Sequence, residues 1–193
     1  MARIIFGVAG EGSGHSSRAR VIIEYLESQG HIVKVVTYHK GMQNLAQDFD
    51  VTEVFGLRFA YKNNKVSYSE TILSNIKKIP DAQKSLKSIN NLVSTFNPDI
   101  VISDFEPLSA LVAHTKKIPL LSIDNQHRIT HGALDFEKKW TADYLLAKAA
   151  VSTMVFGADN YIITSFFDIN SSDKNVYQIP PILRERIIKG RVS

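Results

Sequence analysis

Short β-rich runs alternate with amphipathic helical patterns along the whole chain, and few folds accept that rhythm. Residues 3–8 (RIIFGV), 32–37 (IVKVVT), 51–55, 99–103 (DIVIS), 119–123 (PLLSI), 161–164 (YIIT) and 176–179 (VYQI) read as strands. Several are almost continuously apolar, the pattern of strands buried on both faces. Residues 16–29 read as a helix: Ala19, Ile22, Ile23 and Leu26 share one face through i, i+3, i+4, i+7 spacing, and Gly30 supplies the stop. Further helical patterns cover 42–47, 69–96 with a break at Pro80, 108–116 and 134–157, and Asn97-Pro98 ends the second of these. Residues 57–68 break the rhythm, with Arg58, Lys62 and Lys65 among Phe59, Tyr61 and Tyr68 around Asn63-Asn64, and read as a long loop or small hairpin. Buried strands joined by helices imply an α/β fold, a doubly wound and mostly parallel sheet of about seven strands. Residues 1–181 are expected to form this one domain. Residues 182–193 form a basic stub, in which Arg184, Arg186, Lys189 and Arg191 face a single Glu185.

A chain of 193 residues suits one large domain or at most two small ones. With 44% hydrophobic and 22% charged residues it is too apolar to stay disordered. Lys+Arg 23 against Asp+Glu 19 leaves +4, most of it in the final stub, so no basic face argues for nucleic acid. The absence of cysteine excludes disulfides, Cys-ligated zinc, iron–sulfur clusters and a thiol nucleophile. No apolar run approaches the roughly eighteen residues of a membrane span. Ile4-Ile5-Phe6 is too short for a signal-peptide core. A cytoplasmic location is the expectation.

In open α/β sheets ligands bind beyond the carboxyl ends of the strands, so the search narrows to the segments after Val8, Thr37, Ser103, Ile123 and Thr164. After the first strand comes Ala9-Gly10-Glu11-Gly12-Ser13-Gly14-His15-Ser16-Ser17-Arg18. Glycines at alternate positions leave bare N–H groups at a helix start, a cradle for anions. The spacing is not the dinucleotide fingerprint: counting from Gly10-x-Gly12, the third glycine position is His15. Thr37-Tyr38-His39 offers no acidic residue for a ribose. No Gly-Lys-Ser/Thr follows either, which disfavours a phosphate-hydrolysing motor along with a nicotinamide enzyme.

His15 sits at the helix start, where the positive dipole end opposes protonation. It either caps the helix or, as a neutral imidazole, accepts a proton from a substrate hydroxyl. Asp104 and Glu106, in Ser103-Asp104-Phe105-Glu106-Pro107, end the fourth strand. Asp104 reads as a helix N-cap, as a partner for a base across the cleft, or as both, and Glu106 as solvated unless something binds there. Asp124-Asn125-Gln126-His127-Arg128 follows the fifth strand and suits hydroxyl-rich ligands such as sugars, or closes on its own backbone. A zinc site from His15, His127 and His131 lacks any supporting spacing. Lys77, Lys78, Lys84 and Lys87, with residues 57–68, read as a solvated face before they read as a site for anionic lipid or pyrophosphate.

Gly10-Glu11-Gly12-Ser13-Gly14-His15 resembles the glycine-rich loop ending in His of GT-B glycosyltransferases, most of all the family-28-type enzymes that include the murein-precursor N-acetylglucosaminyltransferase. Ile118-Pro119-Leu120-Leu121-Ser122-Ile123-Asp124-Asn125-Gln126-His127 resembles that group's fifth strand and acceptor loop. Val101-Ile102-Ser103-Asp104-Phe105-Glu106-Pro107 is similar to the fourth-strand segment of archaeal and bacterial relatives. Ile179-Pro180-Pro181-Ile182-Leu183-Arg184 is similar to the linker that leads into the second GT-B domain. Glu11 and Ser13 stand where Gly or Thr is usual, and Asp-Asn-Gln-His stands where His-Glu-Gln-Asn is usual, which leaves the acceptor open.

The resemblance implies a Rossmann-like, acceptor-binding N-terminal half of an inverting glycosyltransferase, with the nucleotide-sugar domain beyond residue 193. It implies His15 as general base, with Asp104 or Glu106 as its orienter or replacement. It implies Gly12, Ser13 and Gly14 against acceptor or donor pyrophosphate, and Asn125, Gln126 and His127 against acceptor hydroxyls. No metal and no cofactor is implied. The implied partners are a nucleotide-sugar donor and a glycan or lipid-linked acceptor from the cell envelope, with peripheral contact at the inner face of the membrane. The residues alone also fit a non-catalytic α/β module for a phosphorylated or sugar-like ligand, or a flavodoxin-like or nucleotide-binding domain.

Overall fold

The computed structural model describes residues 1–56, 61–62, 65–66, 78–184 and 190. Its strands are β1 (Arg3–Val8), β2 (Ile32–Thr37), β3 (Val51–Glu53), β4 (Tyr61–Lys62), β5 (Lys65–Val66), β6 (Ile100–Asp104), β7 (Leu120–Asp124), β8 (Asn160–Thr164) and β9 (Val176–Ile179). The helices are α1 (Gly14–Ser28), α2 (His39–Leu45), α3 (Ile79–Phe96), α4 (Pro107–Lys116), α5 (Arg128–His131) and α6 (Thr141–Met154), with a 3₁₀ turn at Lys138–Trp140. One seven-stranded sheet has the order β3-β2-β1-β6-β7-β8-β9, and all its pairings are parallel.

Apolarity on both sides of β1 explains why the sheet is sandwiched. Ile5 packs with Val36 and Val101 against Ile89 and Phe96 of α3 and Ala110 and Ala113 of α4. Ile4, Phe6 and Val8 face the other way, onto Ala19 and Ile23 of α1 and Leu45 of α2. Each such buried aliphatic or aromatic side chain contributes about 1.5–3 kcal/mol, which commits β1 to the sheet centre.

Several boundaries differ from the sequence expectations. The third strand ends at Glu53: the Val54 N–H still donates to the Thr37 carbonyl of β2 at 2.9 Å while its side chain enters the core, and the Phe55 N–H turns away to the Ser85 hydroxyl of α3 at 2.7 Å. The helix expected at 42–47 begins earlier, at His39. The long helix expected at 134–157 is the 3₁₀ turn followed by α6, and residues 134–137 are not helical. Pro80 does not interrupt α3; it occupies the first turn, where its missing N–H costs nothing. The hairpin reading of 57–68 agrees with the antiparallel β4–β5 pair. The remainder of that segment, residues 69–77 of the expected helix with Lys77, and Arg186, Lys189 and Arg191 lie outside the described residues. No described helix is long and apolar enough to cross a membrane.

Candidate active site

The sheet order reverses between β1 and β6, and such a switch point opens a crevice at the strands' carboxyl ends. Val8 pairs with Asp104 across the two strands, and the Ala9 N–H donates to the Asp104 carbonyl at 3.0 Å. The glycine loop therefore starts beside the end of β6. Gly10 is required there, since a Cβ would stand 1.9 Å from the Tyr38 carbonyl oxygen. Gly12 has φ +75°, the left-handed region that glycine tolerates best. Gly12, Ser13 and Gly14 are exposed, and His15 is the second residue of α1.

Asp104, not Glu106, is the carboxylate that meets His15. Its side chain is fully buried, and its Oδ1 lies 2.6 Å from His15 Nδ1. Arg18, one turn along α1, donates through Nε to Oδ2 at 2.9 Å and through Nη2 to Oδ1 at 2.5 Å. Burial opposes charge on Arg18, but the charge of Asp104 and its hydrogen bonds, with Asp124 adding to them, push the guanidinium up from its ordinary value.

The short contact to Asp104 and the placing of the Gln126 amide suit one imidazole tautomer. The Asn125 N–H donates to Gln126 Oε1 at 3.2 Å, so the Gln126 amide nitrogen faces the other way, 3.2 Å from His15 Nε2. An amide NH₂ only donates, so with Gln126 turned this way His15 Nε2 is the acceptor. Nδ1 then carries the proton and donates it to Asp104. In this arrangement the Nε2 lone pair faces the Gln126 side chain. Phe105 lies nearly parallel to the ring with centroids 6.5 Å apart, from a left-handed backbone conformation with φ 59°.

Glu106 has a different task from the one expected. It is fully buried, and its carboxylate caps α4 by accepting from the Leu108 N–H at 3.0 Å and the Ser109 N–H at 2.7 Å. Burial pushes its carboxyl up, and those donors pull it back only in part. Glu106→Ala is expected to cost about 1–2 kcal/mol, the usual loss of an N-cap, and to lower Tm by roughly 2–8 °C. Its effect on turnover should stay well short of the ~10²-fold that loss of a general base brings. A thermal melt and a rate measurement check both halves.

The β7 loop divides its residues. Asn125 is exposed and Gln126 half-buried, both at the crevice. His127, expected to hold acceptor hydroxyls, is instead only 2% exposed and turned inward. Its Nδ1 lies 2.6 Å from Asp124 Oδ2, and its N–H donates to Asp124 Oδ1 at 2.8 Å. Burial alone would raise the Asp124 carboxyl, but the His127 ring, the His127 N–H and the Ser122 hydroxyl outweigh it and hold it below the usual carboxylate range. His127 thereby fixes the loop that carries Gln126. The three histidines weighed for zinc have separate partners, His15 on Asp104, His127 on Asp124 and His131 on Asp173. Among the described residues no cluster is arranged to hold a metal ion.

Sequence reasoning passed over Arg18 and Phe105. Arg18 was detectable, because i and i+3 on a helix share a face. Beside the loop, a cavity of about 290 Å³ is lined by Ser13, Ser16, Ser17, Arg20, Asn44 and Arg184, and Arg184 donates to the Ser17 hydroxyl.

A parallel seven-stranded sheet with its polar pair at the switch point is the architecture of one half of a GT-B glycosyltransferase, and solved structures agree. The chain aligns with MurG of Acinetobacter baumannii at TM-score 0.57 and 17% identity, covering 97% of this chain and 48% of that one. It aligns with CalG4, the calicheamicin glycosyltransferase, at 0.59 and 16%, covering 95% and 52%. A UDP-glucosyltransferase from Polygonum tinctorium gives 0.61 and 12%, covering 100% and 54%. At these identities the likeness is one of fold, and the chain spans about half the length of each. The chain belongs to glycosyl transferase family 1, whose model matches residues 2–192. Among curated proteins none matches in sequence.

Proposed function

We propose that this chain is the acceptor-binding half of an inverting glycosyltransferase whose nucleotide-sugar domain follows residues 182–193. The observation that carries the reading is His15 at the crevice, its Nδ1 2.6 Å from Asp104 on one side and its Nε2 3.2 Å from the Gln126 amide on the other. An acceptor hydroxyl displaces that amide and donates to Nε2. As its oxygen attacks the anomeric carbon, the proton passes to Nε2. The bond from that carbon to the leaving phosphate oxygen breaks, and the nucleotide departs with the electron pair. Attack opposite the leaving group inverts the anomeric centre. The imidazolium forms next to Asp104, which stabilises it.

Gln126 and Asn125 then hold the acceptor's remaining hydroxyls. The exposed Gly12-Ser13-Gly14 turn and the neighbouring Arg20 and Arg184 favour close approach of a pyrophosphate. An acceptor of lipid-linked or cell-envelope type is consistent with the exposed Trp140, Leu145 and Leu146 near Lys138, Lys139 and Lys148, a pattern suited to peripheral contact with an anionic membrane.

The test is to incubate the full-length protein with UDP-glucose, UDP-N-acetylglucosamine and dTDP-glucose, with and without candidate glycan and lipid-linked acceptors, and to measure free nucleotide. Acceptor-dependent release from one donor is the expected result. Saturable binding of a sugar phosphate with no release from any donor supports the non-catalytic module instead.

A further inference from the structure

Arg18 is bound to the site in a way that loop chemistry alone does not require. Its planar fork grips both oxygens of Asp104, Nη2 also lies 3.3 Å from His15 Nδ1, and Nη1 reaches Thr164 Oγ1 on β8 at 3.4 Å. Its side chain is only 13% exposed. We propose that Arg18 is the positioning residue of the His15–Asp104 pair, fixing the carboxylate with its fork and keeping the imidazole neutral with its charge. The inference rests on the reading of His15 as the base.

The reasoning is electrostatic. A fully buried carboxylate is costly to ionise unless a cation or several hydrogen-bond donors hold it. Were His15 its sole partner, the pair would reach neutrality by drawing a second proton onto the imidazole, and a doubly protonated ring cannot accept one from an acceptor. Arg18 supplies the compensating charge in advance. The carboxylate remains ionised, and His15 donates to it from Nδ1 as a neutral ring. A lysine provides the charge but not the bidentate geometry.

Among the described residues, the neighbouring charged groups have partners of their own. Asp124, on β7, adds to the field on Arg18 but is bound to His127. Glu106 is turned into the cap of α4. From the loop and α2, Glu11 and His39 face each other at 3.9 Å.

The experiment uses full-length protein, unaltered and as Arg18→Met and Arg18→Lys. Ring ¹⁵N NMR follows the pH at which His15 gains its second proton, and transfer from UDP-glucose or UDP-N-acetylglucosamine is measured across pH. For Arg18→Met the His15 midpoint is expected to rise by about 1 pH unit. Its transfer falls about 3-fold at neutral pH, up to about 10-fold at mildly acidic pH, and largely returns at alkaline pH, a recovery that a merely structural defect does not show. Arg18→Lys keeps the midpoint and loses only a few-fold in kcat. If Arg18→Met melts below the assay temperature, Arg18→Gln, which drops the charge and keeps a donor, carries the same expectation.

An unmoved midpoint, or a rate loss equal at every pH, overturns the assignment. A raised midpoint in a protein that transfers no sugar upholds the role of Arg18 in setting the ring's charge and overturns the glycosyltransferase reading instead.

Discussion

Full-length protein carrying His15→Ala is expected to transfer sugar about 10²–10⁴-fold more slowly than the unaltered protein, with kcat falling far more than KM for the acceptor rises. The size follows from what is removed. His15 Nε2 is held toward the crevice by a defined chain, Nδ1 against Asp104 and Nε2 against Gln126. Truncation leaves the acceptor hydroxyl with no group to take its proton as the new bond forms. Folding should survive. The ring is on the first turn of α1, its side chain is partly exposed, and Asp104 keeps both hydrogen bonds from Arg18. A melting temperature within a few degrees of the unaltered protein, together with the rate loss, assigns the defect to chemistry. Near-normal turnover removes His15 from the role.

The second large effect is on Asp104. Asp104→Ala is expected to cost about 3–5 kcal/mol, because a guanidinium built into the interior loses its counter-charge. For a domain of this size that is a fall in Tm of roughly 6–20 °C. Asp104→Asn separates stability from chemistry. Its shape is retained, but its amide no longer dictates which ring nitrogen of His15 carries the proton, so the rate loss should approach that of His15→Ala while the fold suffers less. The double variant His15→Ala with Asp104→Asn should be little slower than His15→Ala alone, since the two groups act as one unit. Additive losses would separate them.

The sheet was legible because parallel strands covered on both faces have to be apolar on both faces, and β1, β2, β6 and β7 are. The α1 face was legible from Ala19 and Ile23, both of which the structure buries. The overshoot at β3 arose because Phe55 is as apolar as a strand residue, yet its N–H turns to the Ser85 hydroxyl of α3 and not to β2. In the site, the loop glycines, His15, Asp104 and Gln126 announce themselves by position at the strand ends. The partnerships do not. Arg18 and Asp104 are 86 residues apart, and only the fold brings them together. Likewise nothing local says that Glu106 bends back onto its own helix while Asp104 faces His15, or that His127 turns inward while Gln126 turns out. Those choices are made by the hydrogen-bond needs of buried groups: the first N–H groups of α4 for Glu106, and the Asp124 carboxylate for His127.

The account stands most directly on which nitrogen of His15 bears the proton. Ring ¹⁵N–¹H NMR of the ligand-free protein near neutral pH reads this from nitrogen shifts and couplings. The predicted spectrum has a neutral imidazole with Nδ1 protonated and Nε2 bare, and its Nδ1 signal changes on Asp104→Asn. A ring protonated at Nε2, or at both nitrogens at that pH, would contradict the proposed route from acceptor hydroxyl to base.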